Sequence, residues 1–350
     1  MPDEGSLTLV GSRDALNALA PLADVHGRRR DVRIVEIHDT DHVSRAIRDS
    51  AAAIVVGGAR TARTAGPALR ADTSCVYGWV PDDARSLDRW VAAACTVAAR
   101  DTAPTRPEPV VLFGQRGPRA AATLHAMQCR SRPTVTWTAE RTTWPATGAA
   151  LGSGPGVAVY AGHANSRALE AYGVIDAKRF VATWRSGGAL PLGALVLLCC
   201  SAAARPKSGF SLAEILVTEG VAAAVVAAGQ RTRNATNSVV AAALAPSLSA
   251  PTLADALTAT RSTRAAFVSD FAAYRILGDP LAVLAGDAEA CAAIADVYAP
   301  EPGEHLTTAE AWSNQELQRV EVMGLEPTTS ALRTLRSTGL SYTPVWDRSA

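Results

Sequence analysis

Val157-Ala158-Val159-Tyr160-Ala161-Gly162-His163-Ala164 and Ala194-Leu195-Val196-Leu197-Leu198-Cys199-Cys200-Ser201 are the two stretches that decide how this chain is read. Each is an unbroken apolar run that stops in small residues. A strand with one face in water alternates apolar and polar side chains. A continuous run instead suits a strand covered on both faces, as in a parallel sheet between helical layers. If the two strands lie parallel in one sheet, their carboxyl ends emerge on the same edge, where open α/β sheets place their ligands. His163 and Cys200 then become neighbours.

Working outward, the segment 201–209 is a loop of small residues carrying Arg205, Pro206 and Lys207, and Ser211-Leu212-Ala213-Glu214 is a capping box opening a helix that Gly220 ends. Residues 221–228 form another buried strand, stopping at Gly229-Gln230-Arg231-Thr232-Arg233. A helix follows, Pro251-Thr252 starts one more to about residue 265, and Tyr274-Arg275-Ile276-Leu277 leads into Gly278-Asp279-Pro280. Upstream, residues 110–113 and 134–137 read as strands flanking a helix over 118–129, with Pro118 at its first position.

The first hundred residues repeat the alternation. Strands are expected at 7–10, 32–37, 53–56 and 75–80, and helices at 12–23, 42–49 and 82–99. Between 101 and 109 three prolines stiffen the chain and break both patterns, which marks a boundary. The expected organisation is an N-terminal α/β block over 1–100, a proline-rich linker over 101–109, a second α/β domain over 110–287, and a poorly ordered tail over 288–350. Within the tail, the phrase from Met323 to Arg333 resembles one that recurs where bacterial reading frames run through a neighbouring tRNA gene, and the tail is expected to carry no function.

Composition excludes several classes. Across 350 residues, 34 basic and 33 acidic side chains leave a net charge of +1, so no field recruits nucleic acid or an anionic membrane. Lys178 and Lys207 are the only lysines, a bias that reads as a GC-rich genome. The start, Met1-Pro2-Asp3-Glu4, lacks a basic region followed by an apolar one, and no apolar run reaches the roughly 18 residues that span a bilayer, so a cytoplasmic location is expected. The six cysteines (75, 95, 129, 199, 200 and 291) show no C-x-x-C spacing and are expected as free thiols. His38 and His42 have a helical ligand spacing, but Asp39-Thr40-Asp41 between them reads as a helix cap. Neither metal nor cofactor is expected. Gly57-Gly58-Ala59-Arg60 lacks the lysine and spacing of a phosphate loop and reads as a turn, and the glycines at 152–156 precede their strand where a dinucleotide fingerprint follows one.

The chemistry rests on the histidine and the thiol. A neutral imidazole beside a thiol takes its proton and later returns one to a leaving amine, which makes the pair suited to acyl transfer. Backbone amides freed where the strand ends can hold an oxyanion. Alternate strand residues face opposite sides, so Cys199 continues the buried run and Cys200 at the turn is the expected nucleophile.

In their order, these residues resemble the caspase-like cysteine peptidases. The resemblance is greatest to the CHAT domains, with the gingipain-like peptidases second. It covers residues 104–287: strand, Gly162-His163-Ala164, about forty residues, strand, Cys200-Ser201, capped helix, strand, Gly278-Asp279-Pro280. It implies a caspase-like three-layer α/β fold with a mainly parallel sheet, here preceded by a smaller Rossmann-like block, and cysteine endopeptidase activity on a protein or peptide substrate. It also implies His163 as general base and acid, Cys200 as nucleophile, and the amides of Cys200 and Ala164 as the oxyanion hole. Ala164 stands where the family has glycine. Arg231 and Arg233, in the region that helps form the family's cleft, are candidates to pair with an acidic substrate side chain. The alternative is a CHAT-fold scaffold or signalling module that has lost activity and works through a regulatory protein partner. A nucleotide-binding role for residues 1–100 has no phosphate motif behind it.

Overall fold

Apolar runs buried on both faces become strands, and amphipathic runs between them become helices. In the computed structural model, residues 5–37, 42–58, 75–102, 108–115, 117–130, 132–139, 142–263 and 267–286 are described. His38 to Asp41, Ala59-Arg60, residues 103–107 of the proline-rich connection and the tail over 288–350 lie outside them. The strands are β1 (Leu7–Gly11), β2 (Val32–Glu36), β3 (Ala52–Gly57), β4 (Val76–Pro81), β5 (Val110–Gly114), β6 (Thr134–Thr138), β7 (Val157–Ala161), β8 (Ala168–Leu169), β9 (Ile175–Asp176), β10 (Leu192–Leu198), β11 (Ala222–Ala228) and β12 (Tyr274–Gly278). The helices are α1 (Arg13–Ala18), α2 (Ala20–Gly27), α3 (Val43–Ala46), α4 (Ala84–Ala98), α5 (Pro118–Arg130), α6 (Trp144–Gly152), α7 (Ala177–Ser186), α8 (Leu212–Thr218), α9 (Asn234–Leu244), α10 (Leu253–Thr263) and α11 (Phe267–Phe271).

All but β8 and β9 belong to one ten-stranded sheet, in the order β2-β1-β3-β4-β12-β11-β10-β7-β5-β6. The fold is three-layer α/β, as the apolar runs require. Helices α5, α9, α10 and α11 pack on one another, whereas α1 and α2 pack on α4, α4 on α8, α8 on α7 and α7 on α6. Every strand of β7, β10 and β11 is buried along its whole length.

The N-terminal block, expected to stand apart, shares this sheet. One core of buried side chains runs from Leu7 to Ala285, so the strands on either side of residues 103–107 are parts of one packed unit. Its direction is the unexpected part. Strand β12 runs antiparallel to β11 but parallel to β4, so β1 to β4 point opposite to β5, β6, β7, β10 and β11. The two halves also repeat one order: β2-β1-β3-β4 matches β6-β5-β7-β10, in each case second, first, third, fourth. Their carboxyl ends therefore lie on opposite edges of the sheet.

A buried hydrogen bond crosses between the halves. Asp279, fully buried in the Gly278-Asp279-Pro280 turn, accepts a 2.9 Å hydrogen bond from His26 Nε2 on α2, and its other oxygen accepts the Leu281 amide at 2.8 Å. Asp279 is thus a structural residue and not a lining of the site. Asp279→Ala leaves a buried imidazole and a buried amide without their acceptor and is expected to cost about 3 kcal/mol in chemical denaturation. An unchanged midpoint would show that the contact stabilises nothing.

Candidate active site

Strands β7 and β10 are parallel neighbours in register, with Ala161 beside Leu198. Paired residues in a parallel ladder point to the same face, and every second residue returns to it. His163 and Cys200 each lie two residues past these partners, in the segments that follow the strands. The sheet therefore brings the segments carrying the imidazole and the thiol to adjacent strand ends on one edge.

The His163 backbone is held at both ends. Its amide donates to Gln115 Oε1 at 3.2 Å, and its carbonyl accepts from the Tyr160 hydroxyl at 2.8 Å and the Glu170 amide at 2.9 Å. Gly162 makes this possible, because a Cβ there would lie 2.7 Å from the same hydroxyl. The imidazole itself is exposed. Ala164 is buried and bridges to Leu169 in a short antiparallel contact. Its φ is not among the positive ones, so the backbone here does not require the glycine of the resemblance.

Cys199 and Cys200 have opposite environments. Cys199 is fully buried, and burial pushes its thiol far above the usual range, with Cys200 and Glu170 adding to the effect. A thiol held neutral is a poor nucleophile. Cys200 is partly exposed; its Sγ donates to the Thr232 carbonyl at 3.1 Å and receives the Thr232 hydroxyl at 3.7 Å. Among the described residues no hydrogen bond joins the Cys200 thiol to the His163 imidazole.

The turn after Cys200 is sharp. Ser201 has a φ of 56°, a left-handed conformation uncommon outside glycine, and its amide is tied to the Gln230 carbonyl at 3.0 Å. Ala203 donates to Ala228 and Ala213 to Ala202, which seats the start of α8 beside the turn. Among the described residues the Cys200 and Ala164 amides make no backbone hydrogen bond. The α8 capping box forms as the sequence requires, with Ser211 and Glu214 exchanging both bonds. Burial raises the Glu214 carboxyl above the usual range, while the Ser211 hydrogen bonds and the nearby Arg205 and Arg275 work against it.

At the same edge lies a cavity of about 270 Å³, lined by Gln115, Thr123, His163, Leu198, Asn234 and Asn237 among others. It opens between β5 and β7, where the connections of this half turn in opposite directions along the sheet. That is where doubly wound sheets bind ligands. A solved structure described as that of a protease superimposes on the chain with a TM-score of 0.60, covering 79% of this chain and 78% of that one at 11% identity. The fold is one that a protease also has. At that identity the likeness is one of fold. No family model matches the sequence, and no curated protein matches it.

Arg231 and Arg233 stand exposed on the segment between β11 and α9, and neither lines the cavity. Gln115, Thr232, Asn234 and Asn237 were not singled out by sequence. Two sequence signals point to three of them: Gln115 directly follows a buried strand, and Asn234 and Asn237 are three apart, hence on one helix face. Among the described residues no group of three or more metal-ligating side chains converges, and no helix is long and apolar enough to cross a membrane.

Proposed function

We propose that the chain is a cysteine endopeptidase of the caspase-like kind, closest in plan to the CHAT domains, and that it hydrolyses peptide bonds of a protein target. The observation that carries this reading is the β7–β10 register, in which His163 and Cys200 follow adjacent strand ends, with His163 lining a cavity of about 270 Å³. The fold shared with a protease structure supports it.

In this reading His163 takes the Cys200 proton and the thiolate attacks the scissile carbonyl. The amides of Cys200 and Ala164 receive the oxyanion, each worth about 3 kcal/mol or more in the transition state. The imidazolium then protonates the departing amine, leaving a thioester on Cys200. Water, deprotonated by the same imidazole, attacks the thioester and releases the acid. The thiol first leaves the Thr232 carbonyl, a rotation about one side-chain bond; catalytic hydrogen bonds commonly tighten only when substrate is present. The second reading, a scaffold with a regulatory protein partner, has that Thr232 hydrogen bond on its side.

A peptidyl acyloxymethyl ketone tests the choice. It is expected to modify Cys200, located by peptide mapping, and to leave the buried Cys199 untouched. An adduct on Cys199, or none on Cys200, overturns the assignment.

A further inference from the structure

The cavity beside His163 has walls of a consistent chemistry. Gln115, Thr123, Asn234 and Asn237 supply amide and hydroxyl groups, and among the described lining residues His163 is the one ionisable side chain. Most of these groups are already committed. Gln115 holds the His163 amide through Oε1. Asn237, buried, donates to the Leu198 carbonyl at 3.2 Å and accepts the Tyr274 hydroxyl at 2.7 Å. Thr123 and Ser238 share a 3.0 Å hydrogen bond that closes the gap between α5 and α9.

Asn234 is different. Among the described residues its carboxamide has no hydrogen-bond partner, and it lies half-buried in the cavity wall at the first position of α9. It offers one acceptor and two donors to whatever enters. The cavity also adjoins the strand end that precedes the thiol. Leu198, the last residue of β10 and two before Cys200, lines it, and the Thr232 carbonyl that receives the thiol opens the segment leading to Asn234 and Asn237.

We propose that this cavity receives the side chain of the residue whose carbonyl is attacked, that Asn234 is its specificity-determining residue, and that the substrates are peptide bonds following an uncharged hydrogen-bonding side chain, glutamine or asparagine foremost. This rests on the peptidase reading above. A carboxamide pairs with Asn234 through both donor and acceptor. A guanidinium finds no carboxylate in the described wall, and a carboxylate finds no arginine or lysine among its described residues. An aliphatic side chain leaves the Asn234 carboxamide unpaired, and a site whose polar group is built to hydrogen-bond its substrate discriminates against it.

The test uses the full chain and a panel of peptidyl aminocoumarins that differ only in the residue before the leaving group: Gln, Asn, Ser, Arg, Asp and Leu. Gln and Asn peptides are expected to exceed the Arg, Asp and Leu peptides in kcat/KM by about tenfold or more. Asn234→Asp puts an acid in the first turn of α9, where the helix tolerates it, and is expected to move the preference to Arg. Cys200-dependent cleavage that is fastest after Arg, Asp or Leu in the wild type, or a ranking unchanged in Asn234→Asp, overturns the pocket assignment and leaves the peptidase reading standing. If no panel member is cleaved and Cys200 resists the acyloxymethyl ketone, both fall together.

Discussion

Cys200→Ala is expected to lower kcat/KM for a cleaved peptide by about 10⁴-fold or more, and His163→Ala by a comparable factor. In the proposed mechanism the two side chains act as one unit, the imidazole making the thiolate and later protonating the amine. The double variant is therefore no worse than either single one, because the unit is already lost when one member goes. Cys199→Ala is expected to keep kcat/KM within about threefold, since that thiol is fully buried and held neutral. The comparison is read by steady-state hydrolysis on protein whose thermal unfolding matches the wild type. Losses that multiply in the double variant would mean that His163 and Cys200 do separate jobs.

Gly278→Ala and Gly78→Ala unfold the protein far more readily, each lowering Tm by about 10 °C or more. The two glycines face each other where β12 meets β4, and an added Cβ on Gly78 would collide with the Gly278 carbonyl. Gly278 also has a φ of 99°, a region side chains avoid, and a Cβ there would collide with the Ala223 carbonyl of β11. Neither obstacle is the flexible end of a side chain that can swing aside. Because β12 is the strand that joins the two halves, both halves are expected to melt in one transition. Differential scanning calorimetry showing an unchanged Tm in these variants would remove the junction as a source of stability.

Much of the site could be read in the sequence because it depends on local pattern. Unbroken apolar runs make β7 and β10 buried strands. Their abrupt ends in Gly162 and Cys199 put His163 and Cys200 at an edge, and the spacing of Ser211 and Glu214 makes the cap that seats α8. What stayed hidden depends on tertiary pairing. The first half of the sheet runs backwards because β12 pairs antiparallel with β11 and parallel with β4. Nothing in the residues of β1 to β4 encodes that direction; the permissive feature is a glycine on each side of the junction. The β8–β9 hairpin was missed because its strands are two residues each, too short for a periodic signal. Helix α7 lies outside the expected elements, although Phe180, Val181 and Trp184 give it a buried stripe and Asp176 caps it. Asn234 and Asn237 looked like ordinary helix residues. Their role emerges only when α9 packs against α5 over the β5–β7 opening.

The central claim is that the parallel register of β7 and β10 makes His163 and Cys200 a working pair, and it predicts a reactivity that one measurement reads. The rate at which the peptidyl acyloxymethyl ketone modifies Cys200 is followed by intact mass and peptide mapping, in the wild type and in His163→Ala. The account predicts a single adduct on Cys200 in the wild type and at least a tenfold slower reaction, of order 10² at the upper end, without the imidazole. An adduct that forms on Cys200 equally fast in both proteins, or on another cysteine, contradicts it.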